Sequence, residues 1–154
     1  MSQELMEYIT ARHDAIVAVL EMLTAEWQLS DEQSSVIDVT DAEREVDGFA
    51  AKLAEAADAL PHDRKPAGWS EPPAVAGVLR VARVRFVKAA LRCLSAQYAD
   101  ESAYADAEDE YAGEQLAIAA RNLAADAAAR QAARGARAPA PQPALPFGAE
   151  DGAR

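Results

Sequence analysis

The chain has 154 residues, a usual length for one domain, and a net charge of −11 at pH 7, which argues against direct binding of DNA or RNA because such binding needs cations that replace phosphate counterions. The single cysteine, Cys93, excludes an internal disulfide, and the alanine-rich composition favours helix. No apolar run approaches the ~20 residues that span a bilayer, and the first residues, MSQELMEYI, lack the layout of a secretory signal, so we expect a cytoplasmic protein.

The first helix is predicted from about Gln3 to Trp27, with Ser2 as its N-cap. Its apolar residues recur at alternating steps of three and four, the a and d spacing of helices that pack side by side. The positions in this stripe are Met6, Ile9, His13, Ile16, Leu20, Leu23 and Trp27. We interpret His13 as a core polar residue that fixes the register of the helices.

The second helix is predicted to start at a capping box formed by Ser30 and Gln33, in which each side chain bonds the other residue's backbone amide. Its stripe again alternates three and four: Val39, Ala42, Val46, Phe49, Leu53, Ala56 and Leu60. Because only about three residues separate the two patterns, the helices are predicted to fold back as an antiparallel hairpin. Pro61 ends the second helix.

The stretch that begins at Pro61, PHDRKPAGWSEPP, is rich in proline and is predicted to be an irregular connection. We expect Trp69 to fold back over the hairpin. Ser70 is predicted to cap a third helix, with Pro72 and Pro73 in its first turn. This helix is predicted to be the most buried, because its apolar residues form two rows: Val75, Leu79, Ala82, Phe86, Ala89 and Cys93, then Val84, Val87, Leu91, Leu94 and Tyr98.

Residues 73–133 form either one helix or two. Only Gly113, and no proline, lies between residues 99 and 134, which favours a continuous or kinked helix whose distal half projects past the hairpin. The usual length of bundle helices favours a turn near residues 100–102. A projecting helix would leave Tyr104, Tyr111, Leu116 and Ile118 half exposed, and we predict that these residues bind a partner or a second copy of the chain.

The predicted fold is all-α: an antiparallel helical hairpin plus a long third helix, in a three- or four-helix bundle over residues 1–134. From Gly135 onward the sequence is rich in Ala, Pro and Gly and poor in large apolar residues, so residues 135–154 are predicted to be a disordered tail.

Within this tail, the six residues QPALPF resemble the short peptides by which many bacterial DNA polymerases and repair proteins dock on the replicative sliding clamp. Those peptides carry a glutamine, a leucine three residues later and a terminal aromatic or leucine, which Gln142, Leu145 and Phe147 match, whereas Pro143 departs from the commoner second residue. The resemblance implies that Gln142 orients the peptide while Leu145 and Phe147 enter adjacent pockets. Another short tail motif and a chance match are the alternatives.

We predict no catalytic, cofactor or metal site. Carboxylate-bridged metal sites in helical bundles place a Glu three residues before a His, whereas Thr10 and Ala59 precede His13 and His62 at that spacing. Cys93 has no histidine at helical spacing, so we interpret it as a buried small hydrophobe. The acidic run DESAYADAEDEYAGE lacks the glycine and spacing of a calcium loop, which favours a solvated helix face.

Charge is segregated along the chain, since residues 72–99 hold five bases and no acid while residues 100–114 hold seven acids and no base. This pattern favours charge matching within the molecule.

Our leading hypothesis is a non-enzymatic helical interaction protein, acting as an adaptor, assembly chaperone or structural component through helix–helix contacts. Its partner is a protein or a second copy of the chain in a homo-oligomer, with no membrane and no direct nucleic acid. One alternative is a DNA replication or repair accessory that docks on the sliding clamp through QPALPF. The other is an acidic protein that masks a basic surface or mimics DNA.

Overall fold

The computed structural model describes residues 2–97 and 105–137, and these residues form four α-helices and no strand. The helices are α1 (Gln3–Ser30), α2 (Val36–Asp58), α3 (Leu79–Gln97) and α4 (Ala105–Arg137), with a short 3-10 turn at His62–Arg64. The all-α prediction is confirmed, and extensive helix–helix packing joins the four helices. Among these helices, none carries a segment long and apolar enough to cross a bilayer.

The hairpin of α1 and α2 starts at the predicted cap, because Ser2 Oγ accepts a hydrogen bond from the Leu5 amide at 3.2 Å. The capping box predicted at Ser30 is wrong. Ser30 belongs to α1, where its hydroxyl donates to the Glu26 carbonyl at 3.4 Å, so the preceding helix already uses it. The box is formed instead by Ser35 and Asp38, and the hydrogen bonds from Ser35 lower the pKa of the Asp38 carboxyl.

The third helix begins at Leu79, so the prediction of a start at Pro72 and Pro73 is wrong. Gly77 has φ +78°, a left-handed conformation that cannot continue an α-helix. The amides of Ala76 and Gly77 are bound by a side chain of α4, which holds this segment extended.

The prediction of one continuous or projecting helix is also wrong, because α4 folds back antiparallel on α3. The Cys93 thiol donates to the Ala112 carbonyl at 3.2 Å, which places the end of α3 beside the start of α4. Folding back buries Leu116 and Leu123 completely against Phe86, whereas a projecting helix would leave the two leucines in water. The boundary predicted at Gly135 falls inside α4.

The segment that connects α2 to α3 runs along the length of the bundle, because α2 and α3 point in the same direction. Ala57 packs on Ala117, whereas Gly48 lies beside residues 124–128, so α2 and α4 are antiparallel. Since α3 is also antiparallel to α4, α2 and α3 run in the same direction. Residues 59–78, which connect them, cross the outer side of α4, and we call residues 59–78 the strap.

Polar side chains of α4 bind the backbone of the strap. Four amides are bound at 2.8–2.9 Å: Ala67 donates to Glu114, Ala74 to Asn122, and Ala76 and Gly77 to the two oxygens of Asp126. Asp126 is only 4% exposed, although it is a carboxylate, because it fills this role. Four backbone amides of the strap thus have their hydrogen bonds satisfied by side chains of one helix.

Trp69 anchors the middle of the strap. Its ring is buried against Ala57 and Ala117, and its Nε1 donates to Asp58 at 3.0 Å. The guanidinium of Arg121 lies 4.3 Å from the ring centroid and donates to the Trp69 carbonyl at 2.6 Å. Trp69 therefore folds back over the end of α2, as expected, and also over α4.

The core lies on a different side of α1 from the predicted stripe. The residues facing the bundle centre are Ala15, Val19 and Met22, roughly 100° around the helix from the stripe. Ala15 and Ala18 on this side allow the close packing of α1 on its neighbours. The interpretation of His13 as a core residue is therefore wrong, since its side chain is exposed.

Candidate functional site

A row of exposed apolar side chains follows the outer flank of α1. Ile9, Leu20 and Trp27 lie within ~20° of one another at 100° per residue, and they are 38%, 40% and 65% exposed. Ile16 and Leu23 lie beside this row and are buried and half-buried. The sequence predicted these five residues as core, but only the inner two pack against it.

A matching row runs along α3. Val84 and Leu91 are 48% and 42% exposed and occupy one side of the helix, two turns apart. Val87 and Leu94 lie next to them and are half-buried against the core. The α3 row therefore repeats the arrangement of α1, with an inner line that packs and an outer line that meets solvent.

The two rows lie on the same side of the bundle. On α1, Thr10 and Asp14 mark the opposite flank, because they line a groove with Lys52 of α2. On α3, Cys93 marks the flank that faces α4, because its thiol bonds the Ala112 carbonyl, whereas Arg83 marks the flank that faces the first hairpin, because it bonds Asp47 of α2. α1 is the helix of the first hairpin that packs beside α3 on this flank. Helical spacing then places the exposed rows of both helices on the outer surface, next to the contact between α1 and α3. We call Ile9, Leu20, Trp27, Val84 and Leu91 the α1–α3 face.

The other outer surfaces of the bundle differ from this one. The strap covers the outer side of α4. The exposed residues of α2 beyond its first turn are mostly charged or small, as in Asp41, Arg44 and Glu45. Within residues 2–97 and 105–137, the α1–α3 face is thus a long apolar surface that no other segment covers, a property of surfaces that bind partners.

Trp27 is the largest exposed side chain of the α1–α3 face. Large aromatic residues dominate the energy of protein interfaces, because their rigid rings bury much apolar area at small entropic cost. A tryptophan that is 65% exposed in a folded chain leaves that area in water. Its position at the end of the row fits an anchor that enters a pocket of a partner.

A second cluster of reactive side chains lies at the opposite end of the bundle. Tyr8 donates to the Gly113 carbonyl at 3.5 Å, and the Arg12 guanidinium lies so close to Gly113 that a Cβ there would stand 2.8 Å from Nη1. Cys93 lies nearby, under α4. Burial raises the pKa of the Cys93 thiol to about 11 and also raises that of Tyr8, against the opposing charge of Arg12. The thiol is therefore protonated at neutral pH and unsuited to nucleophilic attack.

Cys93 is expected to resist alkylation in the folded chain. At pH 8, iodoacetamide should label it at least about 100-fold more slowly than in urea, because a pKa raised from 9.0 to about 11 removes most of the thiolate. Because the folded state holds this proton more tightly than the unfolded state, the stability present below pH 9 is lost as the pH rises toward about 11. Mass spectrometry of timed samples measures the labelling, and equal rates in both states would contradict the burial of this thiol.

Two open grooves flank α2. One of about 600 Å³ lies between α1 and α2 and is lined by Met6, Thr10, Phe49 and Lys52 among others. The other, of about 620 Å³, lies between α2 and α4, and there Arg83 bonds Asp47 at 2.8 Å and lies 3.5 Å from Glu43. In the described part of the chain, no group of three His, Cys, Asp or Glu residues could hold a metal ion.

The predicted distal-helix residues are not brought together as one surface. Tyr111 is 63% exposed, Ile118 is half-buried beside Trp69, and Leu116 is fully buried, so the expected half-exposure of Leu116 is wrong. Burial follows from the antiparallel packing of α4 on α3. Tyr104 lies outside the described residues, as do Gln142, Leu145 and Phe147 of the tail.

The α1–α3 face was missed because its residues were assigned to the core. A stripe of alternating three and four spacing is expected inside a bundle, and nothing in the pattern of Ile9, Leu20 and Trp27 distinguishes an inner stripe from an outer one. One signal was present: Ala15, Val19 and Met22 form a second apolar line on the same helix. A helix with two such lines can bury only one of them in a four-helix bundle.

The docking hypothesis for QPALPF stays a prediction. In a peptide covering residues 138–148, replacing Leu145 and Phe147 by Ala should weaken binding to a sliding clamp ten-fold or more, since each side chain contributes roughly 1.5–3 kcal/mol when buried. The same double substitution in the whole chain should not change its melting temperature. Fluorescence anisotropy at physiological salt measures the first effect, and an unaltered peptide that fails to bind at high micromolar clamp would contradict the hypothesis.

Comparison of the chain with protein-family models, curated proteins and solved structures found no match.

Proposed function

We propose that this chain is a non-enzymatic helical interaction protein of the cytoplasm, an adaptor, assembly chaperone or structural component that binds a protein partner through the α1–α3 face. The observation that carries the proposal is the double apolar row on α1 and α3, which lies exposed while the core of the bundle is complete without it. Apolar surface of this extent is retained where binding buries it.

A helix is the partner element that fits this surface best. Between the two exposed rows lie Ile16, which is buried, and Val87, which is half-buried against the core. An amphipathic helix can lay its apolar stripe along these two rows and meet anchors at steps of three and four. The mode of action is therefore helix-to-helix packing, as in the bundle itself.

The surroundings of the reactive side chains that the structure describes support the non-enzymatic part of this proposal. Cys93 is buried as a protonated thiol, while His13 and His62 lie at the surface on separate elements. The buried carboxylate of Asp126 is occupied by two strap amides. Each of these groups has a structural role or lies alone.

The face is expected to be required for binding and dispensable for folding. Replacing Leu20, Trp27 and Leu91 by Ser should leave the helical circular dichroism and a cooperative melting transition intact, since substitutions at such partly exposed positions each cost about 1 kcal/mol or less. Partner binding should fall by ten-fold or more, because the anchor and two neighbours lose their buried area.

A matched control is available at the start of α2. Val36 and Ile37 are 68% and 71% exposed, so replacing both by Ser removes comparable exposed apolar area elsewhere. In cells of the source, a photo-crosslinking residue at position 13, which is exposed beside the α1 row, should give a defined adduct, which the same residue at position 37 should not. Retention of that adduct and of full binding by the Leu20, Trp27 and Leu91 variant would contradict the proposal.

A further inference from the structure

The α3 row of the α1–α3 face is flanked by cations. α3 contains five bases and no acid. One of them, Arg83, is paired with Asp47 and Glu43 of α2. Arg80 and Lys88 are exposed, one turn to either side of Val84 in the apolar row. No carboxylate of α3 can therefore neutralise the edge of this face.

α1 contributes no carboxylate to the face either. At 100° per residue, Glu7, Asp14 and Glu21 lie on the opposite flank, toward α2. Glu26 lies inward, where its charge acts on Arg83. The ionisable side chain of α1 that does stand among the exposed row is His13. Asp31, the C-cap of α1, stands one turn beyond Trp27, so the cationic part of this surface is the α3 row around Val84.

Building on the proposed function, we propose that the occupant of the α1–α3 face is an amphipathic helix of a partner protein, with carboxylates flanking its apolar stripe. Its leucine-like residues would cover Leu20, Val84 and Leu91, and its carboxylates would meet Arg80 and Lys88. Charge complementarity of this kind sets partner choice and association rate.

A second copy of the chain fits this face less well. In a two-fold dimer the same patch meets itself, so Arg80 and Lys88 would face the cations of the partner copy. Like charges in a contact are unfavourable, and two chains of −11 also repel each other as they approach. An acidic helix on this face avoids the repulsion between like charges in the contact.

The spacing of the two cations restricts the partner further. Arg80 and Lys88 are eight residues apart, about 12 Å along the axis at 1.5 Å per residue. Carboxylates seven residues apart on one flank of a partner helix, about 10.5 Å, fall within reach of both flexible side chains. A heptad pattern with Glu beside the apolar stripe satisfies this spacing.

The test uses two designed helical peptides of 21 residues, both with Leu at the a and d positions. One carries Glu at every e and g position, and the other carries Lys there. With fluorescein on the peptide, anisotropy at 50 mM NaCl should show the Glu peptide binding about ten-fold more tightly than the Lys peptide. Raising NaCl to 300 mM should reduce that preference, and binding should shift the emission of Trp27 to the blue.

Reversing the charge of the two cations on the protein tests the carboxylate preference directly. In the double variant R80E and K88E, the Lys peptide should become the tighter ligand, which a merely hydrophobic surface would not produce. Circular dichroism checks that the variant is folded, and K52E on α2 serves as the control that should leave the preference unchanged.

The remaining outcomes separate this inference from the proposed function. If both peptides bind equally and L20S with L91S abolishes both, the carboxylate preference is overturned while the face remains an interaction surface. If neither binds and light scattering shows a dimer that L91S makes monomeric, the occupant is a second copy and the inference is overturned. If neither binds and the chain is monomeric, the α1–α3 face binds no helix and both proposals fail.

Discussion

Replacing Phe86 by Ala is expected to lower the free energy of unfolding by about 3–5 kcal/mol, the usual cost of truncating a large aromatic residue in a core. Phe86 is fully buried in α3 and belongs to the core cluster that joins both hairpins, with Leu53 of α2 and Leu116 of α4 among its members. The loss combines the removed apolar area with a cavity that three packed helices cannot easily fill. Urea unfolding followed by circular dichroism measures it.

Val84 supplies the control for this substitution, because it lies on the same helix but is 48% exposed. Val84→Ala should cost less than about 1 kcal/mol, since little buried area is lost. A loss below about 1 kcal/mol for Phe86→Ala as well would mean that the two hairpins do not pack around this ring.

Replacing Asp126 by Ala is expected to cost about 2–4 kcal/mol, because hydrogen bonds to a charged group contribute roughly 1.5–3 kcal/mol each and are not additive. Asp126 accepts from the Ala76 and Gly77 amides at 2.9 and 2.8 Å. Truncation leaves both donors without a partner at the point where the strap turns into α3. Chemical denaturation measures the global loss, and amide hydrogen exchange should show faster exchange at residues 76 and 77.

Two further variants separate the contribution of the carboxylate from that of the side-chain volume. Asp126→Asn keeps one acceptor oxygen and should lose less than Asp126→Ala. Arg130→Ala, one turn further along the exposed end of α4, should change stability by about 0.5 kcal/mol or less. Unchanged exchange at residues 76 and 77 in Asp126→Ala would show that the strap does not depend on this side chain.

The first hairpin was predictable because its signals are local. Ser2 before an acidic first turn predicted the start of α1, and Pro61 predicted the end of α2, which stops at Asp58. The turn between the helices was displaced because two serines compete for it. Ser30 and Ser35 each precede a polar residue by three positions, and the turn uses no glycine, since Glu32 adopts φ +61°.

The second hairpin was not predictable from local signals. Pro72 and Pro73 are acceptable in the first turn of a helix, and nothing near them shows that Asn122 and Asp126 bind the following amides from 48 to 50 residues away. The fold-back of α4 depends likewise on burial of Leu116 and Leu123, which a periodic pattern cannot assign to one side. Long-range contacts decided both points.

The α1–α3 face was also not predictable from the periodic pattern alone. The residues Ile9, Leu20 and Trp27 were identified correctly as an apolar line, and only the side of the helix on which the bundle closes was wrong. That side is set by which line packs more closely, and Ala15 with Val19 allows a closer approach than Trp27 does.

The position of the strap also has a consequence for how the chain is made. Its amides at Ala67 and Ala74 bind acceptors that follow 47 and 48 residues later, and a ribosome synthesises the chain from the N-terminus. While the nascent chain lengthens, α1 and α2 can pair, but the strap stays hydrated until Glu114 and Asn122 have emerged. Closure of the bundle is therefore a late event, and a chain that stops before α4 is complete leaves Trp69 and the strap amides open to chaperones and proteases.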